Sequence, residues 1–281
     1  MPSHPTDAPA GIPGWDRRRL LATLAGLSAG LLALLAGLGY AIHLALAATS
    51  HTTTEPTTAG STGAVAAGAE LSGSGAAYRD AVAAAPMLRA GPDAARPAPP
   101  APTPPAEIAI PPATAAGPAG VPTGFPQSPP GAVGQLAAIV TTVLTGMSLP
   151  HTISVHQQWT LPGAGEPAGW VMTDNVHAFL ATAAAGQSAD RPARVVATPA
   201  AGLVKGTDGD DWVLACVLVQ VRATITATAR IGYGHCERMQ WQQGRWWIAA
   251  GAAPAQAPST WPGTEVSIAA GWRTWVPDGG E

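Results

Sequence analysis

From residue 133 onward, apolar residues recur at helical spacing. Val133, Leu136, Ala137, Val140, Val143, Leu144 and Met147 put one apolar face on a helix. Ser128 stands where an N-cap is needed, Pro129 fits the first helical position, and Gly146 and Pro150 end the run. A shorter helix is predicted over residues 152–159. After a Gly/Pro loop, Asp174 can cap a further helix with the stripe Val176, Phe179, Leu180, Ala183 and Ala184 and a stop at Gly186.

The period then changes to two. Residues 194–198 and 202–205 read as strand, and Thr207-Asp208-Gly209-Asp210 as a turn. Residues 212–222 alternate, with Val213, Ala215, Val217, Val219 and Val221 on one face. Residues 226–241 form a long strand with Ile231, Tyr233, His235, Glu237, Met239 and Trp241 on one face. Gln243-Gly244 makes a tight hairpin, so Trp241 faces Trp246 and Met239 faces Ile248. After Trp261-Pro262-Gly263, Thr264 can cap a last short helix carrying Val266, Ile268, Ala269 and Trp272. Helices followed by antiparallel strands read as an α+β domain over residues 128–275, with 276–281 as a tail.

Two stretches lie outside this pattern. Residues 20–46 carry no charged side chain and follow Arg17, Arg18 and Arg19. About 20 apolar residues suffice to cross a bilayer as a helix, and the arginines favour a cytoplasmic N-terminus over residues 1–19. Arg17-Arg18-Arg19-Leu20-Leu21 also resembles a twin-arginine signal, and Ala45-Leu46-Ala47 a signal-peptidase site. The run is longer than the roughly 7–15 residues of a signal core. That favours an uncleaved anchor over 20–48 with the rest of the chain outside. Ala25, Ala29, Ala33, Gly37, Ala41 and Ala45 line one face of it, with Gly26 and Gly30 beside them. Such small residues let two helices pack closely and suit self-association, although an Ala-rich chain produces similar stripes by chance.

Residues 49–127 read as a disordered Ala/Pro/Thr-rich stalk. It opens with a Ser/Thr-rich run and includes one short helix over 76–89, broken at Pro86. Of 29 prolines, 14 fall between Pro92 and Pro130. At ~3.1 Å per residue, an extended polyproline segment of that length reaches on the order of 100 Å. The stalk is therefore expected to hold the domain away from the membrane.

Charge and composition narrow the function. A net charge of −3 over 281 residues provides no basic footprint for nucleic acid. Cys216 and Cys236 are too few for a thiolate zinc site. The predicted strand register sets them opposite each other, and outside the cytoplasm such a pair forms a disulfide. No phosphate loop, nucleophile elbow or zinc spacing is present, so no cofactor or metal is implied. His151 and His156 are five apart, poor spacing for a shared metal. His235 and Glu237 share a strand face and could act as acid and base, or form a satisfied structural pair. Of the ten tryptophans, Trp241 and Trp246 are expected in the core. Trp247 falls on the opposite hairpin face, and Trp261, Trp272 and Trp275 lie near the C-terminus, where they either pin the tail or line a binding surface.

The closing hairpin, residues 239–248, is similar to the last hairpin of nuclear-transport-factor-2-like domains, a cone of helices in a curved sheet. The order of anchor, stalk and such a domain resembles a group of single-pass actinobacterial membrane proteins found with conjugation or type IV-like secretion genes. The resemblance covers roughly residues 118–275. It is carried by Gly120-Val121-Pro122-Thr123-Gly124-Phe125-Pro126, Gly131-Ala132-Val133, Gly232-Tyr233-Gly234-His235-Cys236-Glu237-Arg238-Met239, Ala257-Pro258-Ser259-Thr260-Trp261-Pro262-Gly263 and Gly271-Trp272-Arg273. It implies a scaffold subunit whose partners are other membrane or secretion-machine subunits. A small-ligand binder or enzyme built on the cone cavity is the alternative.

Overall fold

The computed structural model describes residues 73–183, 194–224 and 227–279. In chain order the elements are α1 (Ala76–Ala84), β1 (Glu107–Ile110), β2 (Ala115–Ala116), β3 (Pro122–Thr123), α2 (Pro129–Gly146), α3 (Leu149–Trp159) and α4 (Val171–Thr182). Then come β4 (Arg194–Asp208), β5 (Trp212–Thr224), β6 (Thr228–Gln242), β7 (Arg245–Ile248), α5 (Glu265–Ala269) and β8 (Arg273–Pro277). The architecture is α+β. Six strands form one curled sheet in the order β1-β8-β4-β5-β6-β7, and β2 and β3 make a separate two-stranded pair. Neighbours in the large sheet are antiparallel except β1 with β8.

The hairpin register follows from side chains and turn chemistry. Trp241 pairs with Trp246 and Met239 with Ile248. Gln243 and Gly244 both adopt positive φ, 52° and 77°, which a two-residue hairpin of this hand requires. Between β5 and β6, Val219 faces Tyr233 and Val221 faces Ile231, as the alternation predicts.

β5 is buried on both faces. Val213, Ala215, Val217 and Val219 meet the helices, while Trp212, Leu214, Cys216 and Leu218 meet cover on the other side. On the helix side, α2 lies at the centre. Ser128 accepts from Gly131 N–H at its N-cap, and every residue from Gly131 to Val140 is buried. Even Gln135 is enclosed, bonded to Thr123 Oγ1 and the Pro122 carbonyl.

That enclosure corrects the stalk expectation for residues 73–127. Ile108, Ile110, Val121 and Phe125 join the core around α2, and β1 is a strand of the sheet. Proline carbonyls there are fixed by tryptophans: Pro118 accepts from Trp159 Nε1 at 3.0 Å and Pro126 from Trp246 Nε1 at 2.9 Å. Proline has no N–H to give a ladder, but its carbonyl remains a full acceptor. Residues 73–95 cover the opposite face. Val82 and Ala83 pack with Trp212 and Leu214. Arg79 pairs with Asp208, Asp80 with Arg238, and Lys205 donates to the carbonyls of Ala83 and Ala85 at the end of α1.

Smaller differences have local causes. α1 runs Ala76–Ala84 and stops just before the break expected at Pro86. α3 begins at Leu149, because Ser148 accepts from His151 N–H and serves as the cap. α4 begins at Val171, so Asp174 lies in its first turn and is not the cap. A short turn at Pro167–Gly169, held by Thr173 Oγ1 to the Pro167 carbonyl, launches that helix earlier. In α5 the buried residue is Ser267, while Val266 is exposed. The tail expected from residue 276 continues β8, and Asp278 N–H bonds the Ile110 carbonyl.

The anchor over 20–48, its packing residues Ala25, Gly26, Ala29, Gly30, Ala33 and Gly37, the stalk over 49–72 and the stop at Gly186 lie outside the described residues. Among the described residues, no helix is long and apolar enough to cross a membrane.

Candidate functional site

Cys216 and Cys236 stand opposite each other across β5 and β6 and form a disulfide. It lies on the sheet face away from α2, packed with Ala201, Leu218, Ala257 and Trp272. Gly232 and Gly234 share this face of β6 because chain crosses directly over them. A Cβ at Gly232 would collide with the Thr260 carbonyl oxygen. Trp272 Nε1 donates to the Pro258 carbonyl, which pins the C-terminal segment to the sheet.

The alternate residues of β6 point to the helix side. There Tyr233, His235 and Glu237 form one chain of hydrogen bonds. His235 Nε2 lies 2.9 Å from Glu237 Oε1, and that same oxygen accepts from Trp170 Nε1 at 2.8 Å. His235 Nδ1 lies 3.3 Å from the Tyr233 hydroxyl, which also reaches Met172 Sδ at 3.5 Å. The hydroxyl in turn accepts from Asn175 Nδ2 at 2.7 Å. His235 and Glu237 are both buried. Burial, seconded by the charge of Glu237, holds the Tyr233 phenol well above its usual range, so it stays protonated.

These bonds tie β6 to the start of α4, since Trp170 immediately precedes that helix and Asn175 lies in it. They also line a cavity of about 550 Å³ whose wall includes His156, Glu166, Arg238, Ala249 and residues 251–257. His156 is buried beside Trp170, with ring centroids 5.2 Å apart. Burial lowers its pKa, against the pull of Glu237 and Glu166. Arg238 is buried too, donating to the Ala252 carbonyl at 2.9 Å and pairing with Asp80 at 2.8 Å.

The structure therefore joins His235 and Glu237 in one network with Trp170 and Asn175, and sets His156 and Arg238 on the same cavity wall; local pattern singles out none of these four. Trp170 carried a signal, a tryptophan directly behind a Pro-Ala-Gly turn. Asn175 carried none. Asp174 and His177 are exposed on α4, and His151 is separate at the start of α3. Trp247 stacks with Arg245, whose guanidinium lies 3.6 Å from its ring centroid and 4.6 Å from that of Trp159. Among the described residues, no group of three or more His, Cys, Asp or Glu could share a metal ion. No protein-family model, curated protein or solved structure matches this chain.

Proposed function

We propose that the chain is a bitopic scaffold subunit of a cell-envelope conjugation or secretion apparatus. In this reading its C-terminal domain is a cone of the nuclear-transport-factor-2-like kind, lies outside the cytoplasm and works by contacting other subunits. The observation that carries it is the state of the best acid–base candidate. His235 has both ring nitrogens engaged, by Glu237 and by Tyr233. A general base needs a free position within reach of a substrate proton. The buried disulfide supports the location, because such bonds persist in oxidising compartments.

Two measurements test the reading. Protease added to intact protoplasts should remove the domain, whereas a soluble mature protein would remove the anchor from the proposal. His235→Gln and Tyr233→Phe should leave DNA transfer or secretion intact in a folded protein, while deleting residues 49–70 should impair it. Loss of function in a folded His235→Gln protein with a tolerated deletion would favour the cavity enzyme instead.

A further inference from the structure

The cavity beside Trp170 has features that the structural network leaves unused. Glu237 is about nine-tenths buried, yet only Oε1 is engaged; among the described residues Oε2 takes no hydrogen bond. Asn175 spends its amide donor on Tyr233, and its carbonyl oxygen has no partner among the described residues. Both residues line the cavity, which therefore presents open acceptors.

Charge selects among ligands. Glu166 and Glu237 both line the wall. The guanidinium there, Arg238, is committed to Asp80 and to the Ala252 carbonyl. Burial disfavours a charge on His156. His235 is committed to Glu237 and Tyr233. Among the described residues lining the cavity, the two carboxylates therefore have no uncommitted cation beside them, which disfavours anions and suits a cation. The rest of the wall is largely aliphatic, with Ala249, Ala252, Ala253, Pro254 and Ala255.

We propose that this cavity binds a primary ammonium group carried on a short aliphatic chain. An ammonium has three donors and no acceptor, which matches Glu237 Oε2 and the Asn175 carbonyl. Its methylenes pack against the alanine wall as lysine stems pack on apolar surface. The volume lies within the roughly 300–1,000 Å³ of small-ligand sites. This site goes beyond the scaffold reading and stands whether or not that reading holds.

A free alkylamine and a lysine side chain share this chemistry. The test uses the full-length chain with 15N-labelled tryptophan, titrated with n-butylammonium, with Nα-acetyl-lysine amide and with neutral butan-1-ol. The readout is the Trp170 indole N–H resonance, assigned by Trp170→Phe, because that group touches Glu237. Saturable shifts with an amine and none with the alcohol are expected. Binding of the lysine amide at equal or greater strength identifies a peptide source, and binding of butylammonium alone a free amine. Glu237→Gln keeps an acceptor for Trp170 and should weaken binding at least about tenfold. Glu166→Gln, at an exposed position, should weaken it about two- to fivefold. No shift with either amine, an equal shift with butan-1-ol, or unchanged affinity in both variants would overturn the proposal.

Discussion

The two faces of the sheet are built from opposite kinds of sequence. The face toward α2 is packed by continuous helices and carries the polar chain Tyr233–His235–Glu237. The other face is covered by two short helices, α1 and α5, and by the irregular chain that flanks them in residues 73–95 and 252–272, and it carries the disulfide. Buried area stabilises either face alike, because the hydrophobic effect does not depend on the regularity of the covering backbone. What regularity changes is how visible the cover is beforehand. Helical cover leaves a period in the sequence, and irregular cover does not.

The comparison can be broken at its irregular side first. Trp212 is fully buried against α1, and Trp212→Ala should cost about 3–5 kcal/mol in urea unfolding. A loss below about 1 kcal/mol would mean that residues 73–95 leave this face uncovered in solution. The disulfide comes next. Its cysteines are 20 residues apart, and chain-entropy reasoning sets its stabilisation near ~3 kcal/mol. Unfolding with and without reductant measures this, and two free thiols in the native protein by mass spectrometry would refute the bond.

Gly232→Ala follows, at about 1–3 kcal/mol, because the added methyl meets a backbone carbonyl and not a yielding side chain. An unchanged midpoint would show that residues 258–261 lift away easily.

The smallest effect sharpens the helix side. Burial lowers the pKa of His156 from 6.5, so the unfolded chain takes up its proton first on acidification. This contribution is complete above the ordinary imidazole range and is lost as pH falls through about 6.5 toward the lower folded value. Stability should therefore decline over that window, and His156→Gln should flatten the decline. A slope that survives the substitution would assign it to other groups.

Much of this fold was legible. Ser128 and Pro129 marked the start of α2, and Gln243-Gly244 with Trp241 and Trp246 set the last hairpin. The Cys216–Cys236 pairing followed from the register of β5 and β6 alone. The cover of the second face had one overlooked sign. Trp212, Leu214, Cys216 and Leu218 are as apolar as the alternate set, and a strand apolar on both faces is buried on both. Within residues 73–127 only the helix at 76–84 left a local sign; the rest looked like spacer because proline and alanine give no period.

Caps, turns, strand faces and the pairing of neighbouring strands were thus readable from the chain alone, because they need only short-range sterics and a two- or 3.6-residue period. The chain also placed His235 and Glu237 on one face. What those side chains do depends on contacts made only on folding. Trp170 lies 67 residues from Glu237, and Asn175 lies 58 from Tyr233. Asp80 reaches Arg238, and β1 joins β8, across still longer stretches of chain. No periodicity spans such separations. These contacts exist because burying both faces of one sheet brings distant segments together, and buried polar groups must then find partners there.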